Sequence, residues 1–172
     1  RTAVIMGSAL AGIESVAESQ HGLDTIGPEG ASRKMQIQAW GNMAASQIAM
    51  RYDLHGPLLT FSTACASAHD AIGTAARMVE AGIVDVAITG ASDRARTKLQ
   101  VLTMGAYGML SQQPDPYKAC LPFDADRTGV MPGEGAGILI LERTDRAKAR
   151  GATIHGHIRG YGSLADGYHP SS

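Results

Sequence analysis

The chain has 172 residues, of which 44% are hydrophobic and 18% are charged, and its formal net charge is −1. This length and hydrophobic content allow one domain with a real core and exclude a disordered chain. The near-neutral charge gives no support to a role in binding nucleic acids or membrane surfaces. The sequence shows no signal peptide and no apolar run long enough to span a bilayer. Two cysteines, Cys65 and Cys120, make no disulfide framework, which indicates a reducing compartment such as the cytoplasm.

The first predicted element is a buried strand over Thr2 to Met6, which leads into a loop of small residues at positions 7–12. Ligand sites in open α/β sheets lie beyond the carboxyl ends of the strands. This loop therefore either lines a site or is an ordinary strand-to-helix turn. Arg1 directly precedes the strand, so we expect the sequence to be cut from inside a larger domain.

Two helices are predicted between this strand and residue 57. Ile13 to Ser19 has a weak helical pattern, and His21 to Ser32 is predicted as a loop because glycine and proline punctuate it. Gln36 to Tyr52 is predicted as a single helix with an alanine-rich face, and Asn42 lies inside it.

Residues 57–82 have the pattern of a strand, a tight turn and a helix. Leu58 to Thr63 is apolar, β-branched and aromatic, as in a buried strand, and apolar residues then recur at helical spacing until Gly82. Cys65 falls in the turn, at the start of the helix, where unpaired backbone N–H groups and the helix dipole favour a thiolate. Its small neighbours leave room for a substrate. We therefore predict a nucleophile, against the alternative of a buried structural cysteine.

A further apolar strand is predicted over Val84 to Thr89. A strand, a helix and a strand at this spacing imply parallel strands joined by a right-handed crossover. The basic residues Arg94, Arg96 and Lys98 follow this strand. They are interpreted as a solvated face, and docking of an acidic partner is the alternative. A short helix is predicted over Lys98 to Leu110.

Several motifs in the second half suggest ligands but lack the rest of the required pattern. Asp124 and Asp126 form one Asp-x-Asp without further oxygen ligands, so a salt bridge to Arg127 is preferred over a metal site. The glycine run at residues 133–137 precedes a strand predicted over Ile138 to Leu141. A phosphate-binding loop follows a strand and opens a helix, and that function is therefore rejected.

The last predicted elements are a short helix and a strand. Thr144 or Asp145 is predicted to cap the helix. The alternating pattern of residues 153–159 predicts a strand that exposes His155 and His157. No third ligand accompanies these two histidines, so no metal site is predicted there.

Residues 63–68, Thr-Ala-Cys-Ala-Ser-Ala, resemble the nucleophile motif of the β-ketoacyl-acyl-carrier-protein synthases, the ketosynthases of fatty acid and polyketide assembly. Further blocks resemble that family in the same order along the chain. They are Val86–Asp93, Pro122–Arg127, Gly133–Gly137, Ala147–Ala152, Gly160–Gly162 and Asp166–His169. The resemblance covers essentially the whole chain and is greatest to the elongating type II enzymes, often called synthase II.

The resemblance implies an α/β, thiolase-like layered fold, of which this sequence is the central part of the duplicated core. Cys65 matches the acyl-accepting nucleophile, and its own N–H matches one oxyanion-hole donor. Leu10 matches a gating residue of the acyl pocket, and Met104 matches another acyl-pocket position. Ser171 falls where the family has a threonine that hydrogen-bonds pantetheine, and His169 matches a non-catalytic histidine near the site. The resemblance implies no cofactor and no metal.

The family's reaction is the decarboxylative condensation of an acyl-cysteine thioester with a malonyl group. The implied partner is an acyl carrier protein that carries both groups on phosphopantetheine. The family also implies a homodimer, or a heterodimer with a related subunit, paired through the strand at residues 58–63. The family's two catalytic histidines lie in later motifs that do not occur before Ser172. We therefore expect residues 1–172 to be a partial ketosynthase domain, mostly the N-terminal half of the core and the start of the C-terminal half, that is inactive alone.

Two alternatives from other classes stay open. His69 can share a helix face with Cys65 and act as the base of a cysteine hydrolase or acyltransferase. A solvent-facing His69 paired with Asp70 or Glu80 is preferred over that role. The chain can also be a non-catalytic, chain-length-factor-like subunit or a binding fragment, although the intact Cys65 argues against the former.

Overall fold

The computed structural model of the chain describes residues 1–168. Within them, a four-stranded sheet has the order β2-β1-β3-β4. The strands are β1 (Thr2–Gly7), β2 (Leu58–Phe61), β3 (Val86–Arg94) and β4 (Glu134–Glu142). The helices are α1 (Ile13–Ile26), α2 (Met35–Gln38), α3 (Met43–Arg51), α4 (Ser67–Glu80), α5 (Lys98–Ala106) and α6 (Thr144–Ala149).

The chain forms two compact units. The first comprises residues 1–9, 44–91 and the segment from Gly137 onward, and the second comprises residues 10–43 and 92–136.

Strand β1 is the centre of the first unit. It runs parallel to β2, with Val4 opposite Leu58, and parallel to β3, with Thr2 opposite Val86. Strands β2 and β3 are therefore parallel to each other, as the strand–helix–strand spacing predicted. One core cluster joins β1 to α4 and β3, and its buried members are Ala3, Ile5, Ala71, Ala75, Val79, Val84 and Ala87.

The opposite face of β1 is also covered. Val4 and Met6 form a second cluster with Ala45 of α3. Successive side chains of a strand point to opposite faces, so helices on both sides bury every position of β1 from Ala3 to Gly7. This burial accounts for the uninterrupted apolar run in the sequence.

The second unit contains a small network of ion pairs. Arg94 pairs with Glu14 at 3.1 Å and with Glu134 at 3.0 Å, and Arg96 pairs with Glu134 at 2.6 Å. Exposed pairs of this kind add little stability, typically about 0–1 kcal/mol each. Because acidic side chains of the same unit already engage these basic residues, the geometry favours a solvated face over a docking surface.

Three sequence predictions about helices are wrong. Helix α1 continues to Ile26, through Gly22, although a loop was predicted from His21 onward. A Cβ on Gly22 would lie 2.1 Å from the carbonyl oxygen of Gly30, so this glycine allows two backbones to approach. The predicted helix over residues 36–52 is split into α2 and α3, and Asn42 lies in the break. Gly41 beside Asn42 gives two poor helix formers in succession there.

The third wrong prediction concerns the start of α6. Thr144 is its first residue, and its N-cap position, Arg143, has no side-chain capping bond. The carboxylate of Asp145 instead pairs with the Arg143 guanidinium at 2.6 Å. Asp145 therefore does not cap the helix.

Some strand predictions also need correction. Strand β2 ends at Phe61 rather than Thr63, and it is an edge strand whose Leu59 is 41% exposed, not a buried one. Strand β4 begins at Glu134, so it includes part of the glycine run. Residues 153–159 form no strand, since in the described part of the chain no neighbour pairs with them.

The predicted salt bridge of Arg127 is not formed either. Arg127 instead donates to the main-chain oxygen of Asp124 at 2.7 Å.

None of the helices within residues 1–168 combines the length and the apolar character needed to cross a membrane.

Candidate functional site

Cys65 lies in the middle of a short turn that joins β2 to α4. Residues Ala64–Ala66 form a single 3₁₀ turn, and α4 begins immediately afterwards. The N–H of Ser8 donates to the carbonyl oxygen of Phe61 at 3.0 Å, which fixes the end of β2 against the end of β1. Cys65 is exposed. The predicted strand, turn and helix with the thiol at the turn are confirmed, and the alternative of a buried structural cysteine is wrong.

The turn is held in a conformation that a side chain rarely adopts. Ala64 has φ +50°, in the left-handed region, which costs a non-glycine residue roughly 1–2 kcal/mol. Ser67 closes the turn from both sides: its Oγ accepts from the Thr63 N–H at 2.9 Å and donates to the Ala64 carbonyl at 2.6 Å. Ser67 itself is buried, and both bonds are partly buried. The strained backbone beside Cys65 is thus maintained by the first residue of α4.

The buried carboxylate of Asp70, one helical turn into α4, also holds the turn that carries Cys65. Asp70 is 8% exposed, and its Oδ2 accepts from the Thr63 hydroxyl at 2.5 Å. Its Oδ1 accepts from the Tyr161 hydroxyl at 2.5 Å. The Thr63 bond first, and the Tyr161 bond second, lower the pKa of Asp70 below its ordinary value, although burial opposes them. Donation to this carboxylate raises the pKa of Tyr161.

Tyr161 itself is seated on α4. A Cβ on Gly73 would lie 2.1 Å from the Tyr161 ring, so the ring fills the space that the glycine leaves. The Arg77 guanidinium carbon lies 5.0 Å from the ring centroid, within range of a cation–π contact. Arg77 also donates to the Tyr161 carbonyl at 3.2 Å. One helix face therefore fixes both the position and the hydroxyl direction of Tyr161.

Asp70 and Tyr161 were not among the residues predicted for this site. A signal for Asp70 was present, because it lies three residues after Ser67 on the face of α4 that also buries Ala71 and Ala75. A carboxylate on a buried face needs hydrogen-bond partners. His69 is exposed, as predicted. It makes no hydrogen bond to Asp70, whose carboxylate accepts from Thr63 and Tyr161, and its interaction with Asp70 is limited to a charge effect that helps to lower the pKa of that carboxyl.

The other predicted site residues fall into different parts of the chain. Leu10 belongs to the second unit, is partly buried, and its N–H donates to Asp93 Oδ1 at 3.0 Å. Met104 lies in α5 of the same unit and is partly buried. Cys65 belongs to the first unit. His169 and Ser171 lie outside the described residues. The roles of all these residues in the site stay predictions.

Metal ligands are not clustered anywhere in residues 1–168: no group of three or more His, Cys, Asp or Glu side chains there is arranged to hold an ion. Cys120, the second thiol, is exposed in the loop that follows Lys118.

Residues 1–147 match the family model for "Beta-ketoacyl synthase, N-terminal domain". The chain belongs to the β-ketoacyl synthase family. Curated relatives include 3-oxoacyl-[acyl-carrier-protein] synthase 2 of Rhizobium meliloti, which is 36% identical over 98% of this chain and 40% of its own length. The enzyme of the same name from Vibrio cholerae is 38% identical over 100% of this chain and 42% of its own length. The chain thus spans about two fifths of the length of the curated relatives it matches.

Solved β-ketoacyl synthases have the same fold. A ketosynthase in complex with its type II PKS acyl-carrier protein matches with a TM-score of 0.90 at 30% identity, over 98% of this chain and 43% of the solved one. A β-ketoacyl synthase from Burkholderia phymatum matches with a TM-score of 0.88 at 31% identity, over 99% and 42% of the two chains. The predicted fold, a partial α/β thiolase-like fold, is confirmed.

Proposed function

We propose that this sequence is the central part of a β-ketoacyl-acyl-carrier-protein synthase of the elongating type, and that Cys65 is its nucleophile. The observation that carries the proposal is the position of Cys65: an exposed thiol on a strained turn at the start of α4, in a chain of this family. The first N–H groups of a helix have no partner within it and favour negative charge. The same groups stabilise an oxyanion that forms beside the thiol.

In the first half-reaction, the Cys65 thiolate attacks the carbonyl carbon of an acyl thioester on the carrier protein. The new bond joins the Cys65 sulfur to the acyl carbon, and the pantetheine thiolate leaves and takes up a proton. The Cys65 N–H is proposed as one donor to the oxyanion of the tetrahedral intermediate. Leu10 and Met104 are proposed to line the acyl pocket, and Ser171 and His169 to lie beside pantetheine.

In the second half-reaction, a malonyl group on the carrier loses carbon dioxide, and the resulting carbanion attacks the Cys65 thioester. The carbon–sulfur bond to Cys65 breaks, and a β-ketoacyl product stays on the carrier. Decarboxylation needs hydrogen-bond donors directed at the enolate oxygen, and loss of one such donor typically costs about 3–4 kcal/mol. We propose that the two family histidines that supply these donors belong to the longer protein, and that this sequence supplies the nucleophile.

The proposed partner is an acyl carrier protein with phosphopantetheine-linked acyl and malonyl groups, and the proposed compartment is the cytoplasm. A matching solved ketosynthase is in complex with its acyl-carrier protein, which supports the partner. The pathway is fatty acid or polyketide synthesis.

The test of the nucleophile uses the full-length protein that carries this sequence. It is incubated with an acyl-carrier thioester, and intact and peptide mass spectrometry locates the acyl group. We expect a stoichiometric thioester on Cys65, none in Cys65→Ala, and a normal yield in Cys120→Ala, the matched control. Release of free acid at the rate of thioester consumption would favour a cysteine hydrolase. Absence of any Cys65 adduct would favour a non-catalytic subunit.

We further propose that the longer protein is a homodimer paired through the edge of β2. Supporting this, Leu59 is 41% exposed on that edge strand, whereas Phe61 packs against the core. Leu59→Lys is therefore a sharper test than a change at Phe61. Ile83, 48% exposed outside the sheet, gives the control Ile83→Lys. Sedimentation velocity is expected to detect monomers for Leu59→Lys and dimers for Ile83→Lys. An unchanged dimer in Leu59→Lys would contradict the pairing.

A further inference from the structure

We propose that Asp70 is a positioning residue for Cys65, and that its carboxylate, clamped between Thr63 and Tyr161, keeps the nucleophile turn in its reactive shape. This inference rests on the proposed function, since it assumes that Cys65 is the nucleophile. The three residues Thr63, Asp70 and Tyr161 are called the Asp70 clamp.

The clamp acts directly beside the thiol. Thr63 is the residue immediately before the strained Ala64 and two residues before Cys65. Its hydroxyl donates to Asp70, its N–H donates to Ser67, and its carbonyl accepts from the Ala66 N–H at 3.0 Å. A strained backbone persists only where its surroundings over-determine it. Without the Asp70 bond, Ser67 alone would hold the turn from α4.

The Asp70 clamp is anchored at both oxygens of the carboxylate. The Asp70 carboxylate accepts the Thr63 hydroxyl on Oδ2 and the Tyr161 hydroxyl on Oδ1, both at 2.5 Å, and the Ser163 side chain gives it a further hydrogen bond. Charge-assisted bonds of this type are about twice as strong as neutral ones. Tyr161 is anchored on α4, because its ring lies against Gly73 and next to Arg77. Tyr161, which lies 91 positions further along the chain, thus fixes the Asp70 carboxylate. That carboxylate in turn fixes the turn that carries Cys65.

Positioning can be separated from simple packing. Asp70 contributes a charge to an otherwise apolar and small-residue helix face, where an alanine would pack without needing partners. One of its two hydroxyl bonds reaches the turn that carries the thiol. A misplacement of about 1 Å at a reacting group can cost on the order of 100-fold in rate, so loss of the clamp is expected to slow the acylation of Cys65.

The test uses the full-length protein with four variants: Thr63→Val, Thr63→Ser, Asp70→Asn and, as a matched control at an exposed position of α1, Thr25→Val. The readouts are the rate and KM of Cys65 acylation from an acyl-carrier thioester, and the urea midpoint of each variant. Thr63→Val removes the hydroxyl at constant shape. We expect it to lower the acylation rate constant about tenfold with little change in KM, because the acyl pocket is untouched.

Thr63→Ser keeps the hydroxyl and is expected to acylate within about twofold of the parent. An asparagine at position 70 keeps one acceptor oxygen for the two hydroxyls of Thr63 and Tyr161, so Asp70→Asn is expected to slow acylation by no more than Thr63→Val does. The double variant is expected to be no slower than the slower single one, since both changes act on the same contact. Thr25→Val is expected to change none of these quantities.

Two results would overturn the inference: an unchanged acylation rate in Thr63→Val, or a loss in Thr63→Ser equal to that in Thr63→Val. If Asp70→Asn fails to fold, the Thr63 pair still decides, because it leaves the carboxylate in place. A Cys65 adduct that forms at the parent rate in Thr63→Val would refute the clamp and leave the proposed function standing. Absence of the adduct in the parent protein would refute both.

Discussion

Replacing Gly7 by alanine tests how closely β1 approaches the nucleophile turn. Gly7 is the last residue of β1, and it is buried directly against the start of α4. A Cβ at this position would lie 2.5 Å from the carbonyl carbon and oxygen of Ser67, and 2.8 Å from the Ala68 nitrogen. Both neighbours are backbone atoms, so no side chain can rotate away to relieve the overlap.

The size of the effect follows from this geometry. Ordinary contact begins at 3.4 Å, so α4 must shift by about 0.9 Å or β1 must distort. Overpacking of this kind costs about 1–3 kcal/mol, while the less flexible unfolded chain offsets about 0.4–1 kcal/mol. We expect the free energy of unfolding to fall by about 1–2 kcal/mol. The shift acts on Ser67, which closes the Cys65 turn, so acylation should slow by at least about tenfold.

The assay is urea unfolding together with the rate of Cys65 acylation in the full-length protein. Gly105→Ala is the matched control, since this glycine lies inside α5 and its added Cβ would meet only a Leu110 methyl at 3.4 Å. That control should gain about 0.5–1 kcal/mol, the usual difference between alanine and glycine in a helix. If Gly7→Ala behaves like Gly105→Ala in both measurements, the close approach of β1 to α4 is refuted.

Three further predictions concern single groups of the chain. The buried Thr89 hydroxyl has no hydrogen-bond partner within residues 1–168, so Thr89→Val should raise the free energy of unfolding by about 1 kcal/mol in urea titrations, and a loss of stability would contradict this. Because the folded-state pKa of Asp70 lies below its ordinary 3.8, its contribution to stability is present above that pH and is lost as the pH falls through the lower value. Asp70→Asn should therefore show a shallower loss of stability below pH 3.8 than the parent, and parallel acid-unfolding curves would count against it. Both thiols are exposed, but only Cys65 lies at the start of a helix, so peptide mapping should show faster alkylation at Cys65 than at Cys120, with equal rates arguing against activation.

Local pattern was enough to predict the elements whose burial follows from the sequence. Strand β1 is apolar along its length because helices cover both of its faces, and a short apolar run bounded by small residues is typical of such a strand. The turn at Cys65 was also predictable, because a few small residues between a strand pattern and a helix pattern are typical of a tight turn.

What could not be predicted depends on distant neighbours. Strand β2 has the composition of a buried strand, yet its place at the sheet edge leaves Leu59 exposed, and strand order is not encoded locally. Residues 21–32 have the glycine and proline content of a loop, but α1 continues through Gly22, which makes a close contact with Gly30. Asp70 was visible as a polar residue on an apolar face, but its partner Tyr161 lies 91 residues away, and no spacing rule connects them.

The central position of β1 has a consequence for how the protein is made. Its partner strands follow far behind it: β3 begins more than 80 residues after β1, and β2 more than 50. At the usual synthesis rate of about 5–20 residues per second, β1 leaves the ribosome roughly 4–16 s before β3 can pair with it. Both edges of β1 stay unpaired until β2 emerges, roughly 3–11 s after β1, and the edge that pairs with β3 stays unpaired for the whole interval. An apolar strand with unpaired edges is the situation in which nascent chains aggregate. Slower translation between residues 10 and 86 should therefore lower the soluble yield, and a chaperone that binds short apolar segments should restore it.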